Sequence, residues 1–212
     1  MARIETFDTS VKLVERRESD GLWVVRWDFR PKYDDNGNES GIYWYEEEAY
    51  NWIPSIEDIQ RTIVDWFNKQ TDITIKKGFE WKGINVLLSD ENKFNFSLFA
   101  IEAERREKEI AEWDKNNPDL KGVNFIVEEY TNVHGEVFKS EKPTGRKPSR
   151  LPITFKLGEG NDLSSFYTFT TIEELFEFTS ASTDHLNNAY ASGWTKIATF
   201  DWSPYIRALE DL

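Results

Sequence analysis

The first fifty residues alternate between apolar and polar positions and read as strands. Val11 to Glu18 alternates loosely, and Leu22 to Phe29 is rich in Trp, Val and Phe, residue types that suit a pleated, half-buried surface. The run Asp34-Asp35-Asn36-Gly37-Asn38 follows, and Asn-Gly supplies the positive φ of a tight hairpin. Ile42 to Tyr45 is the expected returning strand, so residues 22–50 are predicted to form a hairpin. From Pro54 the period becomes helical. Ser55 can cap, Glu57 and Asp58 suit the helix dipole, and Ile56, Ile59, Ile63 and Trp66-Phe67 share one face. This helix is predicted to end near Thr71. Short strands are expected at Ile73 to Lys76 and Trp81 to Leu88, separated by Gly78-Phe79.

Ser89-Asp90-Glu91 opens a second predicted helix, which Asn117-Pro118 stops after about Asn116. Its apolar stripe is read as Phe94, Leu98 and Ile101, with Phe99 beside them. Trp81, Phe94 and Leu98 are expected to share one core with the helix at residues 55–70. The charge-rich part from Glu102 to Glu109 is expected to be solvated and to project from the body. Val123 to Tyr130 and Glu136 to Lys139 read as a strand pair across Asn132-Val133-His134-Gly135. Ile153 to Leu157 and Phe166 to Thr170 read as a hairpin around Gly158-Glu159-Gly160. Thr171-Ile172-Glu173-Glu174 has the form of a capping box. The helix it opens carries Ile172, Leu175, Phe176, Leu186 and Ala189-Tyr190 and is expected to end at Gly193. A short last helix is predicted with Ser203 as cap and Pro204 in its first turn. The fold class this implies is α+β, with antiparallel hairpins packed with three main helices. Three parts are expected: an N-terminal α+β region at 1–138, a basic Pro/Gly linker or arm at 139–150, and a C-terminal β-hairpin plus helix region at 151–212.

Composition narrows the function. Hydrophobic residues make up 39% of the 212 and charged residues 31%, a globular balance. The aromatic share of 15% lets few residues fill a core and leaves rings for interfaces. A net charge of -13 opposes phosphate binding, so a general or sequence-specific nucleic-acid role is rejected and anionic membranes are repelled. No run of 18 apolar residues is present to span a membrane, and the N-terminus MARIETFDTS lacks an apolar signal core. With no cysteine, the chain can form neither disulfides nor Cys-ligated zinc sites, and synthesis in a cytosol is compatible with that.

Few residues carry candidate chemistry. His134 sits in a turn and His185 beside Asp184 in a helix; both read as surface histidines, without the context of a nucleophile triad. Gly158-Glu159-Gly160 lacks the third glycine and the Lys-Ser/Thr of phosphate-binding loops and reads as a hairpin turn. Asp34, Asn36 and Asn38 have calcium-loop spacing, but Glu39 stands where glycine is needed, so a tight turn without bound metal is expected. Glu46-Glu47-Glu48 is an acidic run of the kind that so many carboxylates produce by chance. Exposed Trp could stack on sugars, which keeps a carbohydrate-binding reading open. No catalytic, cofactor-binding or metal-binding residue is assigned, and an enzyme is not expected.

The basic stretch stands out. Lys139, Lys142, Arg146, Lys147 and Arg150 fall within twelve residues that also hold Pro143, Gly145 and Pro148. One reading is a solvated linker. The sharper reading is an arm that docks on an acidic neighbour, with Glu46 to Glu48 or Glu102 to Glu109 of another copy as partners.

The segment Ile75 to Asn95, IKKGFEWKGINVLLSDENKFN, resembles an uncharacterised domain of the tail-gene region of phages and prophages, especially those of Bacteroides and its relatives. In that pattern a glycine- and aromatic-marked hairpin leads through Leu-Ser-x-Glu-Asn into a helix. Pro152 to Lys156, Tyr167 to Leu175 and Asp201 to Tyr205 resemble its C-terminal motifs. The likeness covers residues 72–101 and 151–206. It departs at Lys93, where the pattern has Gln, and in an inserted region from Asn116 to Arg150. The resemblance implies a structural virion protein of a tailed phage, made in the host cytoplasm and placed in the tail or head-tail connector. Its implied partners are copies of itself, as in a ring, and other phage structural proteins. The alternatives are a tail or tail-fibre assembly chaperone and a sugar-binding host-attachment module.

Overall fold

The computed structural model describes residues 1–7, 10–159 and 163–212, with the backbone alone at Asp90, Glu91 and Lys93. The chain is an α+β protein of antiparallel strands and three long helices. It divides into two units, residues 1–73 with 190–212 and residues 74–189.

The first unit is built on a four-stranded antiparallel sheet. Its strands are β1 (Ala2–Thr6), β2 (Val14–Arg16), β3 (Trp23–Tyr33) and β4 (Glu39–Tyr50), ordered β1-β4-β3-β2. The turn between β3 and β4 closes as its composition demands: Asp34 N–H donates to Asn38 O at 2.8 Å, and Gly37 takes φ +81°. Against the sheet lie the first turns of α1 (Ile56–Lys77) and the short α4 (Ser203–Glu210). Val14, Val25, Trp27 and Tyr50 from the sheet meet Ile59, Ile63 and Trp66 of α1 and Tyr205 of α4. Trp27 and Trp66 pack edge to face, 6.4 Å apart, and the Tyr205 hydroxyl donates to Arg26 O at 2.9 Å. A polar layer also lies buried in this sheet. Arg26 and Glu47 are 5% and 6% exposed and pair at 2.8 Å, and Arg26 also binds Lys12 O and Glu15.

The second unit holds the hairpin β5 (Phe79–Trp81) and β6 (Ile84–Val86), the helix α2 (Asp90–Asn116) and the hairpin β7 (Phe125–Thr131) and β8 (Val137–Pro143). The hairpin β9 (Ile153–Lys156) and β10 (Phe166–Phe169) and most of α3 (Ile172–Ala198) complete it. Its core centres on Phe178, fully buried, with the rings of Phe79, Trp81, Phe96 and Phe169 all within 6.0 Å. Ile75, Val86, Leu88, Leu157 and Leu175 fill the same cluster.

Several expectations are corrected. Ile73 to Lys76 is not a strand: α1 continues to Lys77, because Ile75 is buried in the second core and Gly78, at φ +75°, is the residue that turns the chain. Trp81 to Leu88 is not one strand: Trp81 ends β5, Lys82-Gly83 turns the chain and Ile84 to Val86 form β6. The apolar stripe of α2 is on the wrong face. Phe94, Leu98, Phe99 and Ile101 are exposed, and Phe96, Ala100, Ala103 and Ile110 are buried. Phe94 and Leu98 therefore join no core, and Trp81 packs on a different cluster from Ile59 and Ile63. Glu102 to Glu109 is not wholly solvated, since Ala103 is buried and several of its charged residues are half-buried. Gly193 does not end α3; it lies in mid-helix, where a Cβ would come within 2.2 Å of Thr71 Oγ1. Ser203 does not cap α4: Trp202 takes the cap position, and Asp201 accepts from Ser203 N–H at 3.0 Å. The interval 139–150 separates no units and lies inside the second. The Gly160 of the expected Gly-Glu-Gly turn lies outside the described residues.

Candidate protein-contact surface

The interval 139–150 contains two structures in place of a linker. Residues 139–143 belong to strand β8, and residues 144–150 run beside α2. Each of the five cations meets a carboxylate of its own chain. Lys139 reaches Glu129 at 2.8 Å and Lys142 reaches Glu128 at 3.2 Å, both across the hairpin. Arg146 binds Asp114 at 2.7 Å, Lys147 binds Glu109 at 3.1 Å and Arg150 approaches Glu102 at 3.9 Å. Arg106 adds a bond to Pro148 O at 3.2 Å, and Ser149 donates to Glu107. The acidic surface expected on a neighbour is thus present on α2 of the same chain. Arg146 is the anchor of this arm: its hydrogen bonds hold the Asp114 carboxyl below the ordinary Asp range.

The hairpin β7–β8 has a different character. Its strands are seven residues each, about 24 Å at the usual rise. Of the fourteen residues only Ile126 is half-buried, and every other one is exposed. Phe125, Val127, Tyr130, Val137 and Phe138 are among them, each more than 40% exposed. The Tyr130 and Phe138 rings stack on each other at 5.5 Å. No third strand pairs with either edge among the described residues. An isolated two-stranded hairpin is marginal in water, and open edges are templates for another chain. These features make the hairpin the candidate contact surface among the described residues.

The remaining candidates resolve into structural roles. Asp34 accepts from Asn36 N–H and Asn38 N–H, both at 2.9 Å, so its carboxylate is committed to the turn. Glu46 binds Arg3, Glu47 binds Arg17 and Arg26, and Glu48 meets the N-terminal amine. His134 is exposed in the β7–β8 loop, but His185 is not a plain surface residue. It stacks on Phe79 at 5.7 Å, and its Nε2 is buried without a hydrogen-bond partner among the described residues. Among nine Trp, Trp52 and Trp194 alone are exposed, and Trp194 stacks on Tyr190 at 5.9 Å. Among the described residues no group of three or more His, Asp or Glu could hold a metal ion, and no helix is long and apolar enough to cross a membrane.

Sequence reasoning missed one polar cluster. Lys82, at φ +47° in the β5–β6 turn, donates to Tyr167 OH at 2.9 Å and to Glu174. Glu174 also accepts from Thr170 N–H at 3.4 Å, so the capping-box acid reaches one residue further back than the motif implies. Its bond to Lys82, then that to Tyr167, pulls the Glu174 carboxyl down. The pairing spans 92 residues and left no local signal.

No protein-family model, curated protein or solved structure matches the chain.

Proposed function

We propose that this chain is a structural protein of a tailed-phage particle, in the tail or head-tail connector, and that it acts by protein–protein contact in a multi-copy assembly. The observation that carries the contact reading is the β7–β8 hairpin, with aromatic and aliphatic side chains exposed and both edges open. Leaving those groups in water is unfavourable by about 25 cal/mol per Å² of apolar surface, which a neighbouring subunit would recover. The tailed-phage reading rests on the motifs at Ile75 to Asn95, Pro152 to Lys156, Tyr167 to Leu175 and Asp201 to Tyr205. Physically those motifs supply turn glycines, the Ser89 cap that accepts from Asn92 N–H at 3.1 Å, and core rings such as Phe155 and Phe169. They are features of a scaffold. Quantitative mass spectrometry of purified particles tests the reading. The chain at many copies per particle is the expected result. Its presence in infected cells but absence from particles would replace the reading with an assembly chaperone.

A further inference from the structure

Resting on the reading of the hairpin as a contact device, we infer that its occupant is a second copy of this chain, joined edge to edge through β8 about a two-fold axis at Ser140. The backbone sets which groups are available. The ends of the β7–β8 ladder are Asn132 N–H to Glu136 O at 3.0 Å and Thr144 N–H to Asn124 O at 3.0 Å. Alternation in an antiparallel pair then turns the even-numbered residues of β8 toward β7. Val137, Lys139 and Glu141 turn their N–H and C=O groups to the open edge, and Pro143 offers its carbonyl alone.

Charge selects the register. In the pairing centred on Ser140, Lys139 lies opposite the partner's Glu141 and Glu141 opposite the partner's Lys139. Val137 lies opposite the partner's Pro143, and Phe138 opposite the partner's Lys142. Sliding by one pair in either direction sets Lys139 against Lys139 or Glu141 against Glu141, which is unfavourable. The two-fold arrangement also gives Glu141 what it lacks. Its cross-strand neighbour is Val127, and no cation of the described chain pairs with it, whereas Lys139 and Lys142 already have partners. Head-to-tail addition of β7 to β8 would leave Glu141 without a cation in any register, since β7 carries none. Self-pairing of β7 would bring together strands that carry Glu128 and Glu129 and no cation. Edge-to-edge pairing through β8 is therefore the arrangement that uses the open N–H groups and neutralises the unpaired carboxylate together.

The test uses the full chain, which has no native cysteine. Ser140 would face its own copy as a non-hydrogen-bonded pair, with Cα atoms about 4.5 Å apart, inside the range a disulfide spans. Under mild oxidation Ser140→Cys should give a linked dimer in high yield. Val137→Cys, placed opposite Pro143, should not. Lys139→Glu should weaken dimerisation about tenfold or more in analytical ultracentrifugation, and Lys139→Glu with Glu141→Lys should restore it. A wild-type chain that stays monomeric at its highest soluble concentration overturns the inference. So does linkage through Val137→Cys equal to that through Ser140→Cys, or a charge swap that fails to rescue. These outcomes are read on purified protein, so they stand apart from whether the chain is found in particles.

Discussion

Arg146 grips Asp114 with two prongs: Nε donates to Oδ1 at 2.7 Å and Nη2 to Oδ2 at 3.1 Å, while Nη1 donates to Asn124 Oδ1 at 2.9 Å. The fork fixes residues 144–150 to α2, in a geometry that lysine cannot reproduce. Arg146→Ser is expected to release this segment and speed tryptic cleavage after Arg150, the Lys147-Pro148 bond being resistant to trypsin. Lys147→Ser, which removes a single exposed contact, should change cleavage elsewhere in the segment little. Equal effects from the two substitutions would remove Arg146 as the anchor.

The same pair sets a pH dependence. The Asp114 carboxyl is held below its ordinary value by Arg146, so the folded state keeps it ionised where the unfolded chain would protonate it. The stabilisation is therefore complete above the unfolded Asp value of about 3.9 and is lost as pH falls through the lower folded value. Hydrogen exchange across residues 144–150 should be protected at neutral pH and lose protection below about pH 4. Protection that persists in acid, or that is lost near neutrality, would contradict the assignment.

Phe178 and Phe94 make a contrast that tests the second core. Phe178→Ala removes a fully buried ring from among four others and should cost about 3–5 kcal/mol in urea unfolding. Phe94, 67% exposed, should cost within about 0.5 kcal/mol when changed to Ala. The reverse order would mean that the other face of α2 is the packed one.

That contrast also shows where the sequence was legible. The limits of α2 were readable, because Ser89 is a side-chain cap and Asn117-Pro118 ends the helix. Its buried face was not, because residues 94–103 place Phe, Leu, Ile or Ala on almost every side of the helix. Large exposed Phe94 and Ile101 then outweigh small buried Ala100 and Ala103 in any reading by hydrophobicity. Ile73-Thr74-Ile75 alternates and is β-branched, so it reads as strand, yet burial of Ile75 keeps it helical. Gly193 looked like a stop signal, but its bare Cα serves the close approach of Thr71. The basic stretch was legible as a cluster of charge, but the expected acidic neighbour is the chain's own α2 and β7. Its partners, Asp114 and Glu109, lie more than thirty residues away, at separations that spacing does not report.

Glu47 probes the polar layer of the first unit. Glu47→Ala leaves the Arg26 guanidinium buried with only Glu15 and the Lys12 carbonyl. Because those two partners remain, the loss should fall toward the lower part of the roughly 3–5 kcal/mol seen when one member of a buried pair is removed. Thermal melts of Glu47→Ala and Arg26→Met compare the two directions. The Arg26 change, which leaves no unpaired buried cation, is expected to cost less. A neutral Glu47→Ala would show that Arg26 is solvated.

Gly78 is a backbone requirement. At φ +75° with an added Cβ 1.6 Å from Val86 O, alanine cannot be accepted without moving the β5–β6 hairpin. Gly78→Ala should cost more than the about 1–2 kcal/mol of left-handed geometry alone. Gly83→Ala, at φ +82° but with nothing within 4 Å of its Cβ, should cost about that much. Equal losses in chemical denaturation would rule out the steric term.

The central claim is that the β7–β8 hairpin holds this chain in a particle. The most direct measurement is the copy number of the chain in purified phage particles when residues 125–143 are replaced by a short Gly-Ser turn. The intact chain is expected in many copies per particle. The shortened chain should be absent from particles while remaining folded, because no residue of the hairpin belongs to either core. Particles that contain the shortened chain at the same copy number would contradict it.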